Sequence, residues 1–195
     1  MSARRRIDQK LVVQTAIQLA DANGFEAVTL AAVAEKLEIR IPSLYNHVSG
    51  LPGLQYLMSV WAAQTLGDLL RRAAVGKAGQ DAVMSMGIAY RAFAHTHPGL
   101  YRTTLRAPRP DEPELTAAAQ ELLDLLLAVL QPFGLNNEEM LHTIRGLRSV
   151  LHGFIDLEIA GGFGMALDRD ESFYRLLHGF VAGIKITSPA QTAAD

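Results

Sequence analysis

Residues 29–48 read TLAAVAEKLEIRIPSLYNHV, and their spacing predicts two short helices joined by a tight turn. Thr29 offers a hydroxyl that can cap the first helix by accepting from an orphan backbone N–H. Leu30, Val33, Ala34 and Leu37 then recur at helical spacing on one face, which is expected to be buried. After a Glu38-Ile39-Arg40 turn, Pro42 falls in the first turn of a second helix, where its missing N–H costs nothing and its φ is already helical. Ile41, Leu44 and Val48 are expected to point inward. Pro42, Ser43, Asn46 and His47 are left on the outward face, with Arg40 at its leading edge and Tyr45 on its flank. Ile41, which opens the helix, is counted with that face as well. Such a surface offers donors, acceptors and apolar contact to a DNA major groove, and the layout is that of a helix-turn-helix.

The surrounding order extends this reading. A long first helix ends in Asn23-Gly24-Phe25; Val28-Thr29, Ala34 to Leu37 and Leu44-Tyr45-Asn46-His47-Val48 follow in register. Over these first fifty or so residues the chain resembles the TetR family of bacterial transcriptional regulators, most specifically in Leu-Tyr-x-His. A second segment, Arg148-Ser149-Val150-Leu151-His152-Gly153-Phe154 with Leu157-Glu158 and Gly161-Gly162-Phe163, is similar to the ligand-binding subclass of that family named for a Trp-His-Gly motif. Here His-Gly is present and the Trp is not. Two departures stand out. Glu38 occupies a turn position where the family pattern has Gly, so a side chain is expected in a left-handed or strained conformation. Leu51-Pro52-Gly53 stands where the pattern has a Lys, so the phosphate contact that the resemblance implies there is expected to be lost. DNA affinity would then rest on an N-terminal arm, on Thr29, Tyr45 and His47, or on backbone N–H groups at helix N-termini.

Composition sets bounds on this expectation. The 195 residues are 49% hydrophobic, enough for a small reader plus a larger helical domain with a substantial core. The absence of cysteine excludes disulfides and thiolate zinc sites and fits a cytoplasmic protein. The charged N-terminus and the short apolar run around Leu125 to Leu130 give no sign of export or membrane insertion. A net charge of −2 is not that of a nonspecific nucleic-acid binder. Positive charge is local: Arg4, Arg5, Arg6 and Lys10 read either as an arm that tracks phosphates or enters a minor groove, or as an ordinary solvated terminus.

Periodicity and stop signals predict an all-α chain of about nine helices, with a helix-turn-helix domain over 1–52 and a helical effector-binding and dimerisation domain over 53–195. The first helix is placed at 7–23 with Gly24 as its stop, and a fourth at 53–75 is expected to couple the two domains. Others are placed at 81–96, 100–105, 114–130, 136–160 and 170–186. Pro108, Pro110 and Pro113 make 106–113 a stiff loop, and Asn136 with Glu139 reads as a capping box. No strand pattern or fixed-period repeat is visible.

The last two long helices carry more apolar surface than one protomer needs. Leu147, Val150, Leu151, Phe154, Phe173, Leu176, Leu177 and Phe180 are candidates for a homodimer interface, which would set two reader helices on a roughly palindromic double-stranded DNA operator; the alternative is packing on their own protomer. Met58, Trp61, Met84, Tyr90, Phe93 and Tyr101 are candidates to line a pocket for a partly apolar small-molecule effector, with His95, Arg148 and His152 as polar contacts, although plain core packing explains each equally well. His95 and His97, two apart on a helix, diverge and do not suggest a metal. Gly161-Gly162-Phe163-Gly164 follows a helix and is not a dinucleotide fingerprint. No catalytic motif and no cofactor are indicated. The expectation is a one-component regulator, a repressor by resemblance. The competing readings are a small helical enzyme or a protein-interaction module that uses the apolar second domain while the reader is inactive.

Overall fold

A computed structural model describes residues 7–187. Within them the chain forms nine α-helices and no strand: α1 (Gln9–Asn23), α2 (Leu30–Lys36), α3 (Ile41–Leu44), α4 (Gly50–Ala74), α5 (Gly79–Thr96), α6 (Pro98–Tyr101), α7 (Pro113–Leu130), α8 (Asn137–Ile159) and α9 (Arg169–Thr187). This is the expected all-helical architecture. Arg4, Arg5 and Arg6 lie outside the described residues.

Local chemistry sets the helix ends. Asp8 caps α1 by accepting from Leu11 N–H at 2.8 Å, so the helix begins two residues later than Ile7. Gly24, at φ 88°, turns the chain out of α1 while its N–H still reaches the Ala20 carbonyl at 2.8 Å. Asn136 and Glu139 form both bonds of the capping box at the start of α8. α4 starts at Gly50, three residues earlier than expected, because Pro52 fits a first helical turn, where its missing N–H would have no intrahelical partner.

The chain divides into two compact units. One holds residues up to Thr65 together with Thr96–Ala119; the other holds Leu66–His95 and the chain from Gln120 onward. In the first, Val12, Ala16, Ala20, Val33, Leu44, Leu54 and Leu100 are among the fully or almost fully buried side chains. Gly99 of α6 rests directly on α1: a β-carbon there would lie 2.2 Å from the Ala20 carbonyl oxygen, so only glycine permits this approach. In the second, Leu70, Val83, Met86, Leu151, Ile155, Leu177 and Val181 are buried, and Gly87 of α5 gives room to Leu177 of α9.

Candidate functional site

Two short helices and the turn between them build the most distinctive surface of the first unit. Thr29 caps α2, its hydroxyl accepting from Ala32 N–H at 3.1 Å. At the other end the Glu38 N–H reaches the Glu35 carbonyl and the Ile39 N–H reaches the Ala34 carbonyl, both at 3.0 Å. This pair of bonds is a Schellman stop, whose left-handed residue is ordinarily glycine. Here it is Glu38, at φ 56°, the one non-glycine residue at positive φ among the described residues. The strain foreseen at that position is present.

Arg40 then leads into α3 in extended conformation, accepting from Ser43 N–H at 2.9 Å through its carbonyl. Leu44 and Val48 are buried as expected. Ile41 is not: it is 41% exposed, because it is the first residue of a helix of only four and no preceding turn covers it. Arg40, Ile41, Pro42, Ser43, Tyr45 and Asn46 are exposed, Tyr45 at 60%, and His47 is half-buried. Gln9, at the start of α1, donates to the His47 carbonyl at 2.9 Å and braces the end of this segment. Nothing in the periodicity singles out Gln9, since its partner is 38 residues away.

The nine residues read as pocket candidates do not gather in one unit. Met58, Trp61 and Tyr101 belong to the first, where Met58 and Tyr101 are buried and the Trp61 ring meets the edge of His97 at 5.3 Å. Met84, Tyr90 and Phe93, all buried, belong to the second, together with exposed Arg148 and half-buried His152 on α8. His95 has a different partner from the one expected: its Nε2 lies 2.8 Å from Glu158. Arg91 donates to both oxygens of that carboxylate, at 2.8 and 2.6 Å, and to Asp170 at 2.8 Å. Its guanidinium also stacks over Phe173 and Phe154, 4.9 and 5.7 Å from the ring centres. The Arg91 hydrogen bonds, then His95, hold the buried Glu158 carboxyl at about 2, and Arg91 is pushed above its usual range by the same pairing. This network ties α5 to α8 and α9, and is structural in form. Among the described residues no group of His, Asp and Glu gathers to hold a metal ion.

Of the candidate interface residues, Leu147, Leu151, Phe154, Phe173 and Leu177 are buried within the described protomer, and Phe154 packs against Phe163 and Phe173. Their surface is already covered. Val150 and Phe180 are half-buried, and Leu176 is 37% exposed. Beside Phe180 runs a groove floored by Gly146, Gly179 and Gly183. Leu157, one of the apolar residues that the sequence marks on these helices, is exposed, and so are Met165, Leu167 and Tyr174, which it does not single out, along the same two helices and their connection.

The first unit also contains an open cavity of about 680 Å³ between the end of α1, the start of α4 and the 98–112 segment. At its edge Arg106 grips Glu112 through two bonds of 2.6 Å, and the Arg109 N–H adds a third at 2.8 Å. These partners, Arg106 first, hold Glu112 at about 2. The clamp closes the proline-rich loop that the sequence marked as stiff.

Comparison with known proteins places these features. Residues 83–180 match the tetracyclin repressor-like C-terminal domain. The chain is 34% identical over 181 residues to an uncharacterized HTH-type transcriptional regulator, Rv0681, of Mycobacterium tuberculosis, covering 92% of this chain and 83% of that one. It is 32% identical over 189 residues to the uncharacterized HTH-type transcriptional regulator YobS of Bacillus subtilis, covering 96% and 98%. In fold it is similar to the TetR family protein ActR of Streptomyces coelicolor, solved in complex with actinorhodin, with a TM-score of 0.69 at 19% identity over 97% of this chain and 100% of that one. The chain belongs to the TetR family of HTH-type transcriptional regulators and is a regulator, not an enzyme.

Proposed function

We propose that the protein is a homodimeric repressor that works in the cytoplasm, binds a roughly palindromic double-stranded DNA operator, and leaves it when a small, partly apolar effector binds. The observation that carries the DNA part is the sidedness of α3. Leu44 and Val48 are buried while Arg40, Ile41, Pro42, Ser43, Tyr45 and Asn46 face solvent on a segment braced by Gln9. In this reading Ser43 and Asn46 meet base edges, Ile41 and Pro42 give apolar contact, and Thr29, Arg40, Tyr45 and His47 meet the backbone. Arg4, Arg5 and Arg6 supply an arm. Residues 1–52 act as the reader and 53–195 as the effector-binding and dimerisation part, whose segment 148–154 is of the Trp-His-Gly subclass without its Trp.

Dimerisation through α8 and α9 is supported by exposed Leu157, Tyr174 and Leu176 and by the glycine-floored groove beside Phe180. Twofold pairing would double the half-sites read and so raise specificity. An effector can release DNA only if it binds the DNA-incompetent state more tightly. α4, whose residues belong in part to each unit, is the covalent path for that coupling. Met58, Trp61, Met84, Tyr90, Phe93, His95, Tyr101, Arg148 and His152 remain the proposed effector contacts; the burial of five of them means that an effector would have to displace core packing.

The test is capture of sheared source-genome DNA by the purified protein at near-physiological salt with excess competitor, followed by sequencing. Enrichment of a short palindrome is the expected result. A folded protein that retains no sequence above competitor would refute the operator reading.

A further inference from the structure

We infer that the open cavity of the first unit is a binding site for a small aromatic monocarboxylate, seated in the same compact unit as the DNA reader. Its size, about 680 Å³, falls in the range of small-molecule sites. Three arginines line it, and two are already committed: Arg106 and Arg109 both hold Glu112. The third, Arg102, is exposed, and its guanidinium has no hydrogen-bond or ion-pair partner among the described residues. A guanidinium presents a planar fork that matches a carboxylate through two parallel bonds. Phe25 and Tyr56 supply aromatic surface beside it.

The acidic lining sets the charge of the ligand. Asp21 Oδ2 lies 2.7 Å from His97 Nδ1 while its other oxygen is buried, and Glu112 is held by its arginines, so neither carboxylate is left to pair with Arg102. Glu26 also lines the cavity and is exposed. With three carboxylates against three guanidiniums the cavity as a whole has no positive excess, which disfavours polyphosphates and other multiply charged anions. One free fork with aromatic surface beside it selects one carboxylate on a flat apolar body.

The position gives the site a consequence, which rests on the regulator reading. The last turn of α1 contributes Ala20, Asp21 and Asn23 to the cavity, and the first residue of the same helix donates to the His47 carbonyl of the reader. Occupancy therefore bears on α1, the helix that braces the reader.

The experiment is isothermal titration of the full chain with phenylpropionate and the larger naphthylacetate, against the matching amides and phenylpropylamine, in wild type and Arg102→Gln. Arg102 is exposed and makes no described side-chain bond, so this variant is expected to fold. The acids should bind at least about tenfold more tightly than their amides, the amine should give no heat, and Arg102→Gln should lose about tenfold for the acids alone, the loss expected for a charge-assisted hydrogen bond. Equal affinity for acid and amide, unchanged affinity in Arg102→Gln, or no binding of either acid at millimolar concentration overturns the assignment. The captured operator then tests the consequence separately. Release of DNA by the binding acid supports it, and retention refutes the coupling while the site stands. Failure to capture any palindrome refutes the operator reading and leaves the titration to judge the cavity by itself.

Discussion

Adding one methyl group at Gly99 tests the packing of the first unit sharply. A β-carbon there would stand 2.2 Å from the Ala20 carbonyl oxygen and 2.8 Å from the Ala20 β-carbon. Ordinary C···O contact is about 3.3 Å, so α6 and α1 would have to separate by roughly 1 Å. The obstacle is main chain on both sides and cannot rotate away. Overpacking of this kind costs about 1–3 kcal/mol, and this site belongs at the upper end. The gain in helix propensity on replacing glycine offsets up to about 1 kcal/mol. Gly99→Ala should therefore lose about 2 kcal/mol and lower the melting temperature by roughly 4–8 °C. Two other glycines calibrate the result. At Gly87 the added atom meets the Leu177 side chain, a methyl group at 2.4 Å first, and a leucine end can turn aside, so Gly87→Ala should cost about 1 kcal/mol. At Gly67, inside α4, nothing lies within 4 Å, and Gly67→Ala should stabilise by about 0.5–1 kcal/mol. Thermal unfolding by circular dichroism measures all three. Trp61, the sole tryptophan, meets His97 two residues before Gly99, so its fluorescence reports the α6 disturbance directly. A Gly99→Ala protein with wild-type melting temperature and unchanged Trp61 emission would refute the close-approach argument.

Glu38→Gly removes a left-handed non-glycine residue and should raise stability by about 1 kcal/mol in urea unfolding; a neutral or destabilised variant would show that the turn is not strained. Glu158 has a folded pKa of about 2 against an ordinary value of 4.5, so its contribution is complete above about pH 4.5 and is lost as pH falls through that window toward 2. Glu158→Gln should flatten the acid loss of stability there and cost about 3 kcal/mol at neutral pH by leaving Arg91 without its buried partner; an unchanged pH profile would remove the network from the stability account. In DNA-binding titrations, Tyr45→Ala and His47→Ala should weaken all sequences alike, whereas Ser43→Ala and Asn46→Ala should shift preference at particular bases by about 1–3 kcal/mol; if neither pair alters binding, the recognition surface is misplaced.

What was legible in the sequence was what neighbouring residues decide. The Thr29 cap, the Asn136-Glu139 box, the Gly24 stop and the left-handed turn at Glu38 each join groups a few residues apart, and all four are present. Period alone assigns Ile41 an inward face, although as the residue that opens the helix it also counts with the outward surface. A residue at the first position of a four-residue helix shares that face without a turn to cover it. Apolar period likewise marks Leu147, Leu151, Phe154, Phe173 and Leu177 as wanting cover and is silent on whether the cover is the same chain or a second copy. Arg91, Glu158 and Asp170 were invisible as a group because they are joined by packing across 67 and 79 residues. The same is true of Gln9 and His47.

These long-range bonds bear on how the reader is held. α3 is only four residues long, too short to be stable by propagation of its own hydrogen bonds. Its orientation must come from what it packs on and from its neighbours: Leu44 and Val48 anchor it from below, and Gln9 of α1 fixes the chain just beyond it. α1 is in turn fixed near its far end, where Gly99 seats α6 on Ala20 and His97 bonds Asp21. A displacement imposed at the α6 contact is thus applied to one end of a 15-residue helix whose other end holds the segment just beyond α3, the proposed recognition element. A helix of that length transmits such a displacement as a nearly rigid rod, because bending it would strain several main-chain hydrogen bonds at once. The position of α3, the proposed reader, accordingly depends on residues about fifty positions downstream in the chain, the His97 side chain and the Gly99 backbone, and a change in DNA affinity in the Gly99→Ala protein with α2 and α3 intact would be the direct measure of that dependence.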